Sequence, residues 1–306
     1  MKLSEQVEKT LNYIQNIEVS ETLSPWEAGR NFYEKFIPLS GEKQNVFHIT
    51  EKELLNEGNS FKLRIYRPNN NVESPLIIYF HGGWFNAGNL ETHDTPLRQL
   101  ANLSQSMIIA VDYRLAPEHP FPAGLYDCEF AVKWIIENAS TLNIDLKKIT
   151  IAGDSAGGAL AATITRKFRS IVIAQLLIYP VTDNSMKTSS WDEFQNGPLL
   201  DLKGAIQAWD WYLPNIEDRN NPDAVPLLAD DLTDLPPTFV AVSEFDPLKD
   251  EGLLYAEKLK ANSVDMQQKL YKGTTHGFFQ MGGFIDDTKI LMHDIAEFIK
   301  AQNSLS

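Results

Sequence analysis

Gly153-Asp154-Ser155-Ala156-Gly157-Gly158 sets a serine at the centre of the spacing G-x-S-x-G. Chance alone produces that spacing in about one chain of this composition in twenty, so its surroundings decide what it means. An apolar run, Ile149 to Ala152, comes directly before it and a helical pattern directly after. That is the setting of a sharp strand-to-helix turn whose serine backbone is strained and whose Oγ stands exposed at a helix N-terminus. Such a serine attacks carbonyl carbon, and needs a base to take its proton and N–H groups to hold the oxyanion. A plain glycine-rich turn or a phosphate cradle is the bland alternative.

Ala156, the residue after the serine, supplies one N–H donor. Others are expected from His81-Gly82-Gly83-Trp84, which follows the apolar run Leu76 to Phe80 and where Gly82 and Gly83 offer amides with no Cβ in the way. His81 reads as a brace for this loop. In the chain order serine, acid, histidine, only His276 and His293 follow Ser155. His293 lies mid-helix and reads as a surface residue, whereas His276 sits in a Thr-Thr-His-Gly-Phe-Phe loop beyond the last strand and is the expected base. Asp246 is the expected acid, because it stands just past the strand Thr238 to Val242 and just before Pro247, at the carboxyl end of the sheet where sites of such folds lie. Glu244, Asp250 and Glu251 are its rivals, and a helix N-cap is its bland reading.

These residues need a scaffold that brings strand ends together. Val7, Leu11, Ile14 and Ile17 recur at helical spacing, and Ser24-Pro25-Trp26-Glu27 has the form of a capping box, so two helices are expected in the first 45 residues. Runs near 46–53 and 61–67, joined by a glycine turn, predict a hairpin. Five short apolar runs follow (76–80, 107–111, 149–152, 175–179 and 238–242), with a last strand near 266–271. Helical stretches between most of them, and a terminal helix near 286–301 with Ile290, Ile295, Phe298 and Ile299 as its apolar stripe, give a βαβ rhythm. The expected fold class is α/β: a mostly parallel eight-stranded sheet with helices on both faces. About 55 residues after Pro180 break the rhythm, with one helical patch near 201–212, and read as an insertion over one end of the sheet.

Five ordered segments resemble the hormone-sensitive-lipase-like family of the α/β-hydrolase superfamily, which includes bacterial carboxylesterases. They are His81-Gly82-Gly83, the run Tyr113 to Ala123, Gly153 to Gly158, Asp246 to Glu251, and His276-Gly277-Phe278. The resemblance covers roughly residues 60 to 280. It implies Ser155, Asp246 and His276 as a catalytic triad, Gly82, Gly83 and Ala156 as oxyanion donors, no metal and no organic cofactor. It also implies a helical cap: residues 1–45 and 184–235 over a hydrolase core of 46–183 and 236–306. The departure is Trp84, which stands at the family's third glycine. An ordinary φ there would keep its amide in use and let the indole fill space by the acyl site as a substrate-binding residue; a positive φ would strain it. The second reading is the less expected one. Of the aromatic residues in the cap segments, Trp26, Phe32, Tyr33, Trp191, Phe194, Trp209 and Trp211, none is singled out as pocket wall.

Composition bounds the rest. The chain has 306 residues, 43% hydrophobic and 22% charged, with 27 basic and 41 acidic side chains for a formal charge of −14. Disorder and coiled coil are excluded, and a field of that sign disfavours nucleic acid and anionic membrane as partners. No apolar run is long enough to span a membrane, the start lacks the signal-peptide pattern, and Cys128 is the only cysteine, so a cytoplasmic setting is expected. The expected activity is hydrolysis of a small-molecule carboxylic ester with a short to medium acyl chain, an amidase or formamidase being the alternative and a non-catalytic binding protein a third. A homodimer is left open.

Overall fold

The computed structural model describes residues 2–18, 22–71 and 73–305. Two helices come first, α1 (Glu5–Gln15) and α2 (Pro25–Glu34), followed by the antiparallel hairpin β1 (His48–Asn56) and β2 (Asn59–Arg67). The capping box forms as its residues predict: Ser24 N–H and Oγ both donate to the Glu27 carboxylate. Then come β3 (Ser74–Phe80), α3 (Asp94–Ser104), β4 (Met107–Asp112), α4 (Ala123–Glu137), the single turn α5 (Ala139–Leu142), β5 (Ile144–Asp154), α6 (Ala156–Lys167) and β6 (Val172–Ile178). Next are α7 (Ser189–Phe194) and α8 (Leu202–Tyr212), and the chain returns to the sheet with β7 (Thr238–Phe245), α9 (Lys249–Ala261), β8 (Met266–Thr275) and α10 (Asp286–Leu305).

Among the described residues the sheet has eight strands in the order β1-β2-β4-β3-β5-β6-β7-β8, with β2 antiparallel to both neighbours and the rest parallel. The inner strands are apolar on both faces because both are covered. Leu125, Cys128, Ile135, Leu160, Ile164 and Leu259 from α4, α6 and α9 close one face. Val7, Leu97, Leu100, Leu291 and Ile295 from α1, α3 and α10 close the other. Ile290 is an exception to its expected stripe: it is 48% exposed, while Leu291 and Met292 turn inward. His293 is exposed, as expected of a surface residue.

Parallel register decides where the chemistry gathers. Phe80 pairs with Gly153, Gly153 with Leu177 and Phe245 with Thr275, so the loops carrying His81, Ser155, Asp246 and His276 leave the sheet at one edge. Residues far apart in sequence are neighbours there by construction.

Candidate active site

Strand β5 delivers Ser155 into a turn at φ 53°, ψ −120°, a conformation costly for a residue with a Cβ, and α6 begins at the next residue. The flanking glycines are needed for space. A Cβ on Gly153 would sit 2.2 Å from the Gly157 carbonyl oxygen, and one on Gly157 would sit 2.0 Å from that of Phe80. The strained backbone is fixed from both sides: Ser155 N–H donates to Ile178 O at 2.8 Å and Ser155 O accepts from Val181 N–H at 3.0 Å.

His276 reaches the serine from the end of β8, where Gly277 at φ +76° turns the chain back. Its Nε2 lies 2.9 Å from Ser155 Oγ and its Nδ1 2.7 Å from Asp246 Oδ2. With the proton on Nδ1, the ring donates to the carboxylate and accepts from the hydroxyl. Asp246 is fully buried, and its second oxygen accepts Leu248 N–H at 2.9 Å, which locks the carboxylate's orientation. The rival acids are engaged elsewhere. Glu244 accepts from Gly273 N–H, Asp250 from Ser190 N–H, and Glu251 from Thr182 and Asp183 N–H and Trp191 Nε1–H.

The loop after β3, expected to supply oxyanion donors, departs from expectation at two residues. Gly82 N–H is already committed, donating to Asp154 Oδ1 at 2.9 Å, so Gly82 shapes the loop and is not an available donor. The amides of Gly83, Trp84 and Ala156 take no protein acceptor among the described residues, and Gly83 and Trp84 face the cavity that holds Ser155. Trp84 itself adopts φ +54° and Phe85 φ +61°, with Gly83 O accepting Asn86 N–H at 3.0 Å across them. This is a left-handed turn of the kind that asparagine and glycine favour. The ordinary φ expected for Trp84 is therefore wrong, because the chain must reverse within these four residues to return to Gly88, where a Cβ would strike Gly82 O at 2.3 Å. The Trp84 indole lines the cavity and leans on Trp191, ring centroids 6.5 Å apart.

Behind the loop stands a buried polar group that the sequence reading did not single out. Asp154, the residue before the serine, also accepts Tyr79 O–H at 2.9 Å and has His93 Nε2 3.0 Å away. Burial alone would raise its carboxyl, but His93, Tyr79 and the Gly82 amide outweigh that and hold it below the ordinary aspartate value. His81 is a brace, as expected: its ring stacks on Tyr113 at 4.3 Å and its Nδ1 lies 2.9 Å from Gly82 O. Burial, with His93 nearby, pushes its pKa down to about 4, so it carries no charge near neutrality.

A cavity of about 370 Å³ opens over Ser155 and His276. Its walls are Phe32, Tyr33 and Phe36, Leu199 and Leu200, and the small residues Gly29, Gly204, Ala205 and Ala208. Of the seven aromatics named in the sequence analysis, Phe32 and Tyr33 line it, while Trp191 and Trp209 are packed in the core instead. Tyr33 O–H donates to Gln280 Oε1 at 2.7 Å, tying α2 to the loop after His276. Among the described residues no cluster of His, Cys, Asp or Glu is placed to hold a metal, and no helix is long and apolar enough to cross a membrane.

The chain is similar to known hydrolases along most of its length. A family model described as alpha/beta hydrolase fold matches residues 77–280. Esterase LipI of Mycobacterium tuberculosis is 39% identical over 231 residues, 72% of each chain. An ethyl acetate hydrolase of Pseudomonas putida is 33% identical over 270 residues, 85% of each chain. The solved hyperthermophilic esterase of the archaeon Pyrobaculum calidifontis superposes with a TM-score of 0.90 at 34% identity over 99% of both chains. With the family match spanning two thirds of its length and relatives this similar, the chain belongs to the hormone-sensitive-lipase-like carboxylesterase family of the α/β-hydrolase superfamily.

Proposed function

We propose that this protein hydrolyses carboxylic esters through an acyl-enzyme on Ser155. The observation that carries the reading is the relay from Asp246 Oδ2 through His276 to Ser155 Oγ, with links of 2.7 and 2.9 Å. Nε2 of His276 takes the serine proton as Oγ bonds to the ester carbonyl carbon, and the carbonyl oxygen becomes an oxyanion facing the amides of Gly83, Trp84 and Ala156. As the tetrahedral centre collapses, the C–O bond to the alcohol breaks and His276 returns the proton to the leaving oxygen. Water then adds to the acyl carbon as His276 takes its proton; the bond from that carbon to Oγ breaks, His276 returns the proton to Ser155, and the carboxylic acid leaves. Asp246 orients the ring and stabilises its charged form.

Residues 1–45 and 184–235 act as the cap in this reading, because Phe32, Tyr33, Leu199 and Ala208 roof the cavity. A space near the small end for ligand pockets, walled by aromatic and leucine side chains, suits short and medium acyl chains. The similarity to an ethyl acetate hydrolase supports that choice. A panel of p-nitrophenyl esters from acetate to palmitate, run with the wild type and Ser155→Ala, tests the proposal. The expected profile peaks at a short or medium chain and vanishes in the variant. Hydrolysis of an anilide as fast as of the isosteric ester would overturn ester specificity.

A further inference from the structure

The turn that carries two of the oxyanion donors is held in an unfavourable form by side chains outside it. Trp84 and Phe85 are both left-handed, and neither is glycine. Each such residue costs roughly tenfold in population for an L-amino acid, so the turn persists only if its surroundings over-determine it.

Arg30, on α2, makes the required contacts. Its Nε donates to the carbonyl oxygen of Asn86, the fourth residue of the turn, at 2.8 Å. Its Nη2 donates to Ala116 O at 3.0 Å, and both Nη atoms bond Glu118, at 2.8 and 2.6 Å. Ala116 N–H donates in turn to Phe85 O at 2.9 Å, so the guanidinium joins α2, the turn and the 116–118 segment into one body. One helical turn further along, Glu34 Oε1 accepts from Asn89 Nδ2 at 2.9 Å. The second cap segment closes the other side, where the Phe85 ring lies flat on Tyr212, centroids 3.8 Å apart and planes within 3°. A half-exposed ion pair with Glu118 would contribute little alone. A planar fork aimed at two carbonyl oxygens and a carboxylate sets geometry in a way a lysine cannot.

We propose that Arg30 is a positioning residue for the oxyanion hole, holding the turn Gly83 to Asn86 in its left-handed form so that the Gly83 and Trp84 amides face Ser155. This rests on the donor assignment made under the proposed function. It gives the N-terminal segment a part in the chemical step beyond covering the cavity, and it supplies what the missing third glycine would otherwise provide.

The test is a set of paired variants, Arg30→Met and Arg30→Lys, made in the wild type and in Trp84→Gly. With p-nitrophenyl acetate, Arg30→Met is expected to lower kcat about tenfold and change KM less than about twofold, because the lost contacts touch the turn and not the substrate. The rate constant for labelling of Ser155 by a fluorophosphonate should fall by the same factor. Arg30→Lys, which keeps charge but not the fork, should fall between. In the Trp84→Gly background the loss should shrink to less than about threefold, since glycine takes a positive φ freely. An equal loss in both backgrounds, a change in KM alone, or a lower melting temperature with kcat and labelling untouched would each overturn the proposal. If Arg30→Met does not fold, Arg30→Lys carries the same comparison. A wild type that cleaves no ester yet labels at Ser155 would remove the proposed function while the labelling rates still decide the role of Arg30; no reaction with either would remove both.

Discussion

Gly82 N–H donates to Asp154 Oδ1 across 2.9 Å, so the residue before Ser155 aligns the loop that opposes it. Loss of the charge in Asp154→Asn should destabilise the fold by about 2–3 kcal/mol and lower kcat by loosening the loop. The native carboxyl lies below its ordinary value of 3.8, so its contribution is fully present above pH 3.8 and lost as pH falls through the native value. Acid unfolding curves of the two proteins should therefore differ most above pH 3.8 and converge below it. A constant gap down to the lowest pH would contradict the role given to this carboxylate.

In the proposed mechanism Ser155, His276 and Asp246 act as one unit, so Ser155→Ala should cost several powers of ten in kcat, and adding His276→Ala should cost little more. Strictly additive losses in the double variant would mean that the 2.9 Å contact between His276 and Ser155 is not the path of the proton.

Glu251 links the acid loop to the insertion, accepting Trp191 Nε1–H at 3.0 Å and the amides of Thr182 and Asp183. Burial raises its pKa to about 8 against 4.5 for the free side chain, with the three donors pulling the other way. Between those values the folded chain holds a proton that the unfolded chain has released. Stability should then be greatest at low pH in this range and fall as pH rises toward about 8, by up to about 1.4 kcal/mol per pH unit. Melting temperatures from pH 5 to 8 check this, and Glu251→Gln should flatten the slope whatever its own stability. A slope unchanged in the variant would assign the effect to other groups.

Phe32 stands between the cavity over Ser155 and a second space of about 300 Å³ lined by Leu11, Ile14, Ile17 and Pro198. Phe32→Ala should join the two and move the preferred acyl chain to greater length, with kcat on acetate changed less than about threefold. An unaltered chain-length profile would place the limiting wall elsewhere, with Leu199 and Leu200 next in line since they border both spaces.

How far the sequence reached can be judged residue by residue. Ser155 was legible because its demand is local: glycines two residues to either side, an apolar run before and a helix after. His276 and Asp246 followed from chain order and from lying just past apolar runs, and the strands from their β-rich apolar character. The tertiary structure alone decided that Gly82 donates to Asp154 and that Trp84 takes a left-handed φ, since an amide's direction depends on a partner 72 residues away across β3 and β5. It alone put Ile290 in solvent, because one face of α10 meets the sheet and its periodic pattern fits two neighbouring faces almost equally well. It also selected Phe32 and Tyr33 over Trp191 and Trp209 as cavity walls, and set Arg30 against Asn86 O. Spacing along a chain specifies elements and their order; which groups then meet across strand ends is set by sheet register and by the packing of segments remote in sequence, and no local pattern carries that information.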